Sequence, residues 1–243
     1  MPGTKRSILI DTDTASDDAV ALIMALRSPD VQVEAITVVA GNVPVEQASR
    51  NALFTVELCS ADVPIFAGAD KPLNRDLQIA DWFHGQDGLG DHGYAPSRRC
   101  TEAEHAVEAI IRTVKQHPGI EVITLGPLTN LALAVAREPE VIENISRCVV
   151  MGGAPCCEGN VTPAAEFNIW VDPDAACLIF RSGLSIDMVG WQLCLGRAVV
   201  DPNEIKMLNS FAEFSKAHFI RPPINTKNVP KRLIRVTNAN VYP

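Results

Sequence analysis

The sequence predicts an α/β fold, an open, mostly parallel sheet with helices on both faces, in the Rossmann-like class. Two observations carry this. Short apolar runs alternate with helix-like stretches along the chain, and Gly, Pro, Asn and Asp punctuate the joins. No internal repeat interrupts the order. With 243 residues and 47 % hydrophobic content, the chain can bury a sizeable core. A charged fraction of 21 % excludes a disordered chain.

The elements follow in order. Residues 7–10 read as a buried strand, and 17–27 as a helix stopped by Ser28-Pro29-Asp30. Residues 31–40 alternate and then turn β-branched, which predicts a second strand. A helix over 44–59 has Pro44 in its first turn, and a third strand covers 63–66. Residues 68–100 form a long polar stretch rich in Gly, Asp and His, and loops of this kind are usually functional. Thr101-Glu102-Ala103-Glu104 has the form of a capping box, so a helix is expected from Thr101 to near His117-Pro118-Gly119. Further strands are expected at 120–125, 147–151 and 185–190, with helices at 127–137, 173–181 and 202 to about 219. A loop over 152–165 separates two of them. Residues 1–220 are expected to form a single domain. Residues 221–243, broken by Pro222, Pro223 and Pro230, are expected to form an atypical basic tail.

Charge and cysteine content narrow the function. The net charge is −8. From Phe214 to Pro243 there are six Lys or Arg and no Asp or Glu, so the remainder carries −14. Such an acidic body argues against nucleic acid or an anionic membrane as partner. No apolar run is long enough to span a bilayer, and the N-terminus lacks the long apolar stretch of a secretory signal. The seven cysteines are odd in number and none lie as Cys-x-x-Cys. Free thiols in a reducing cytosol are expected rather than a disulfide framework or a zinc knuckle.

The chemistry concentrates after the first strand, in Asp11-Thr12-Asp13-Thr14-Ala15-Ser16-Asp17-Asp18. In open α/β sheets ligands bind at the carboxyl ends of the strands. At an effective dielectric of about 20, two like charges about 6 Å apart repel by roughly 3 kcal/mol. A helix N-terminus returns only about 0.3–1 kcal/mol per carboxylate. A bound cation or raised pKa values would relieve the rest. Oxygen donors without His or Cys favour calcium or magnesium. Asp13 at the strand end and Asp18 in the first helical turn can converge on one ion. Two other readings fit this run alone. Ser16, Asp17 and Asp18 can simply cap a helix. The Asp-x-Asp run also suits a phosphohydrolase of the haloacid-dehalogenase type, although Ala15 occupies the place where that pattern has Thr or Val.

Later motifs discriminate. After Asp11-Thr12-Asp13 and Asp17-Asp18-Ala19 come Gly41-Asn42, His84-Gly85-Gln86-Asp87-Gly88-Leu89-Gly90 and Leu125-Gly126-Pro127-Leu128-Thr129-Asn130. Met151-Gly152-Gly153, Glu158-Gly159-Asn160, Glu166-Phe167-Asn168 and Asp172-Pro173 complete the series. In this order the chain resembles the inosine–uridine-preferring nucleoside hydrolase family from Ile8 to about Pro202. The resemblance implies calcium-dependent hydrolysis of the N-glycosidic bond of ribonucleosides, a place in purine and pyrimidine salvage, and a dimer or tetramer.

It further implies that Asp13, Asp18 and the carbonyl of Leu125 hold calcium, and that Asp13 takes a proton from the attacking water. Asp17, Asn42, Asn160, Glu166 and Asn168 would hold the ribose hydroxyls, with Asn168 also in the catalytic set and His84 beside the substrate. Asp11 would support the cluster from behind. Trp82, Phe83 and Trp170 are expected to serve in packing, with stacking of an aromatic near the pocket on a base as the alternative. The chain departs from the family pattern twice. Thr14-Ala15 replaces a Pro-Gly pair. A late His-Asp-Pro element has no counterpart, since the last acidic residue is Glu213 and Phe-Ile-Arg follows His218. That second departure makes a ribose-binding pseudoenzyme, or a catalytically impaired member, the alternative to a working hydrolase.

Overall fold

The structure, a computed structural model, describes residues 5–195, 203–204 and 206–207. Two compact units are distinguished, Met1–Trp191 and Gln192–Pro243. The sheet and its helices belong to the first. In the second, residues 203–204 and 206–207 are helical. The expected boundary at 220 and the basic tail lie outside the described residues, as does most of the helix expected from 202.

The strands are β1 (Arg6–Thr12), β2 (Val31–Val38), β3 (Ile65–Ala67), β4 (Ile120–Thr124), β5 (Ile145–Met151) and β6 (Ile186–Val189). They form one sheet in the order β3-β2-β1-β4-β5-β6, every neighbouring pair parallel. The helices are α1 (Ser16–Arg27), α2 (Val45–Leu58), α3 (Asp81–His84), α4 (Ala106–Gln116), α5 (Thr129–Arg137), α6 (Phe167–Val171) and α7 (Pro173–Arg181). The α/β prediction with a parallel sheet therefore holds.

Period-two alternation assigns the two faces of β1. Ile8 and Ile10 join Leu22 of α1 and the apolar side of α2 in one core. Leu9 joins α4, α5 and α7 in the other. From β1 the chain winds outward through β2 to β3, then crosses back to β4 and winds the other way. The loops leaving the carboxyl ends of β1 and β4 therefore diverge, and in open α/β sheets ligands bind at such a switch point.

Most expected elements are found within two or three residues of their predicted ends. The capping box is a correction. Thr101-Glu102-Ala103-Glu104 does not start the helix. Glu102 N–H donates to Ile65 O at 2.8 Å, and Glu102 pairs in parallel with Phe66. Pairing with the short strand β3 satisfies the backbone there. The helix starts later, at Ala106, where His105 Nδ1 accepts from Val107 N–H at 3.3 Å. The sequence pattern also missed α3, α6 and the 3₁₀ turns Pro139–Asn144 and Trp191–Cys194. All are too short to show a helical period. No helix among the described residues is long and apolar enough to cross a membrane. Cys148 is the one buried cysteine, and burial pushes its thiol up to about 12.

Candidate active site

The site begins with a strand end that is polar where it should be apolar. β1 is buried on both faces, yet it ends in Asp11 and Thr12, and Asp13 follows; all three are fully buried. Asp11 is boxed in. Thr37 Oγ1 donates to its Oδ1 at 2.6 Å and Asn130 Nδ2 donates at 2.9 Å. Its Oδ2 has no partner. Burial raises its carboxyl to about 7 against these two bonds. Its backbone oxygen accepts from Leu125 N–H at 2.7 Å, which ties the end of β4 to β1. Asp11 is thus held by β2, α5 and the end of β4.

Asp13 is clamped just past the end of β1. Oδ2 accepts Asn42 N–H at 2.6 Å, and Oδ1 is buried without a partner. Two glycines make the clamp possible. A Cβ on Gly41 would overlap Oδ2, and one on Gly126 would lie 2.8 Å from Oδ1. Asp18 stands against Asp13, close enough for a shared proton, and its Oδ2 accepts Ala15 N–H at 2.9 Å. Burial first, then charge repulsion, raises both: Asp13 to about 7, Asp18 well above its ordinary value. The Coulomb contribution is Asp17's for Asp13, and that of Asp13 and Asp17 for Asp18.

The far wall comes from the segment after β5. Glu166, 2 % exposed, caps α6, and its carboxylate accepts N–H groups of Gly153, Asn168 and Ile169. Burial raises its carboxyl despite those bonds. Asn168 Nδ2 donates to Leu125 O at 2.7 Å and Met151 O at 3.2 Å. Its Nδ2 is thereby engaged, and its Oδ1 is what it can turn to a hydroxyl donor. Asn160 is exposed, and its Oδ1 accepts Phe167 N–H at 2.9 Å.

At the mouth, His84 is buried and Asp17 is exposed, with Nδ1 and Oδ1 4.0 Å apart. Ser16 Oγ lies 3.0 Å from the same nitrogen. Burial lowers the pKa of His84, which Asp17 partly opposes. Trp82 and Phe83 are 64 % and 45 % exposed, a correction to the expectation that they pack inside. Their four-residue helix turns them outward while His84 points in.

The sequence profile described as inosine-uridine preferring nucleoside hydrolase matches residues 8–236. The chain belongs to this family. Uridine nucleosidase 1 of Arabidopsis thaliana is 37 % identical over 88 % of this chain and 65 % of its own length. The non-specific ribonucleoside hydrolase RihC of Salmonella enteritidis is 43 % identical, over 83 % of this chain and 65 % of its own. Among solved structures, a plant nucleoside hydrolase superposes with a TM-score of 0.75 at 40 % identity, covering 78 % of this chain and 61 % of that one. A purine-preferring ribonucleoside hydrolase from Gardnerella vaginalis gives 0.74 at 37 %, covering 76 % and 61 %. The chain spans 60 to 65 % of the length of the curated relatives reported.

One departure from the nucleoside hydrolase pattern is structurally mild. Ala15, in the place of a glycine, has φ −103, a conformation open to any residue. Thr14 N–H donates to Thr12 Oγ1 at 3.1 Å, and the two hydroxyls lie 3.1 Å apart. Several residues that support the site had no role assigned from the sequence. Thr37 left a signal, a lone hydroxyl in the apolar end of β2. Asn130 lay inside a quoted motif without a role. Asp172, fully buried, accepts from Thr129 Oγ1, Leu73 N–H and Ala175 N–H, and so ties three segments together.

Proposed function

We propose that this chain hydrolyses the N-glycosidic bond of ribonucleosides to free base and ribose, with calcium at Asp13 and Asp18. One observation carries the reading. Asp13 is a fully buried carboxylate with an unpartnered oxygen, pressed against Asp18 and held by two glycines. Two carboxylates in such contact call for a shared proton or a cation. The nearby donors are all oxygen, which suits a hard cation. Among the described residues no three His, Cys, Asp or Glu side chains form a ligand group. The family resemblance adds the backbone carbonyl of Leu125 to the two carboxylates as the group that would hold the cation.

When bound, the cation lowers the pKa of a water and orients it. Asp13 then accepts the proton of the attacking water as general base. The N-ribosyl bond breaks through an oxocarbenium-like state. Asp17, Asn42, Asn160, Glu166 and Asn168 hold the hydroxyls, and their oxygens favour the positive charge developing on the sugar. His84 stands beside Asp17 at the entrance.

The test is base release from inosine, uridine, adenosine and cytidine, with and without chelator. Chelator-sensitive release supports the reading, and chelator-insensitive turnover rejects the metal role. Ribose binding by calorimetry without any release would establish the binding-only alternative. The family resemblance further implies a dimer or tetramer, which light scattering checks.

A further inference from the structure

Two turns from distant parts of the chain meet at the mouth of this site. One carries Asp13 to Asp18, the other His84 to Asp91. In front, Ser16 Oγ meets His84 Nδ1 at 3.0 Å. Behind, a single side chain bridges them. Asn51 of α2, 3 % exposed, donates through Nδ2 to Thr14 O at 2.9 Å and to Asp87 O at 2.9 Å. Its Oδ1 accepts from Gln47 Nε2 at 2.9 Å, and that nitrogen also reaches Asp87 O at 3.2 Å. Asp87 organises the second turn. Its Oδ1 accepts Leu89 N–H at 2.7 Å and Asp91 N–H at 2.8 Å. Gly88 runs beside Asn51 at φ +73, where a Cβ would lie 3.0 Å from Nδ2.

The chemistry of the bridge is specific. One carboxamide nitrogen has two N–H groups, enough for one carbonyl from each turn. A carboxylate in its place would face two carbonyl oxygens with no proton to offer. Thr14 is fully buried, so its carbonyl has no water to fall back on. None of these side-chain bonds is needed for α2 to remain a helix.

We propose that Asn51 is a positioning residue that locks the His84 turn onto the Asp13–Asp18 turn and so sets the spacing across the nucleoside site, with Gln47 orienting its amide. The kinetic consequence rests on the hydrolase reading, whereas the clamp is a property of the chain itself. The experiment compares the full chain with Asn51→Leu, His84→Ala and the double variant in base release from inosine and uridine. Backbone hydrogen exchange is followed in parallel.

Asn51→Leu is expected to raise KM about tenfold with a smaller change in kcat, because ground-state contacts with the substrate lose their register. In the His84→Ala background the same substitution should add less than about twofold, since the two act as one unit. The amides of Leu89 and Asp91 should exchange about tenfold faster, while those of β1 and β4 keep their protection. Gln47→Leu should move both readouts the same way by less, and serves if Asn51→Leu does not fold. Independent, multiplying kinetic effects overturn the proposal. So does faster exchange spread evenly over β1 and β4, or unchanged exchange at Leu89 and Asp91. A chain that releases no base at all overturns the hydrolase reading instead, and exchange alone then decides the clamp.

Discussion

Replacing Asp13 by Asn is expected to stabilise the cation-free protein while removing its response to calcium. Burial lifts the Asp13 carboxyl from 3.8 to about 7. Each pKa unit is about 1.36 kcal/mol, so the ionised form costs the folded state on the order of 4 kcal/mol above pH 7. The folded value lies above the unfolded one. The penalty is therefore complete at pH 8 and shrinks as pH falls through 7, where the folded chain binds a proton that the unfolded chain does not. The amide keeps the shape: its oxygen can accept Asn42 N–H, and its nitrogen can donate to Asp18. Since Asp18 retains its own burial cost, a net gain of about 1–3 kcal/mol at pH 8 is reasonable. At roughly 2–4 °C per kcal/mol for a chain of this size, the melting temperature should rise by several degrees. Thermal melts at pH 8 and pH 6 in chelator, then with calcium, check this. Calcium at about a hundred times its Kd should add about 2.7 kcal/mol to the wild type. It should add nothing to the variant. A variant less stable than wild type in chelator at pH 8 would refute the reasoning. A wild type that loses stability relative to the variant between pH 8 and pH 6 would do the same.

Two further substitutions test the frame around Asp13. Gly41→Ala puts a methyl group onto Oδ2 of Asp13 and 2.7 Å from Pro127 Cδ. It should cost about 1–3 kcal/mol in stability and weaken calcium binding. Unchanged affinity by calorimetry counts against the clamp. Asp172→Ala strands Thr129 Oγ1, Leu73 N–H and Ala175 N–H. Urea unfolding should show a loss of about 2–4 kcal/mol. A loss below about 1 kcal/mol would mean that the three segments are held by other means.

Local order was legible wherever a period or a breaker was long enough to read. The apolar run of β1, the alternation of β2, the stop at Ser28-Pro29-Asp30 and Pro173 at the head of α7 each belong to a short stretch of chain. The clustering of Asp11, Asp13 and Asp18 after a buried strand was legible too, because charge in that position has few physical justifications. Thr101 failed for an instructive reason. Its capping pattern is sound as local chemistry, but the backbone beside β3 offered Glu102 a pairing that no local rule contains. The exposure of Trp82 and Phe83 was hidden in the same way. Aromatic side chains suggest burial, but the direction each takes from a four-residue helix depends on what that helix rests against.

The linear order of residues determined the fold class, the motif series and the carboxylates at the end of the first strand, since these follow from spacing and side-chain chemistry along one stretch of chain. Tertiary structure alone decided which groups enclose Asp11 and which meet Asp13. It also decided that Gly41 and Gly126 close on one carboxylate and that Asn51 joins two turns. Those are meetings between segments many residues apart. Hydrogen-bond partners and desolvation are set by distance in space, which no periodicity along a chain encodes.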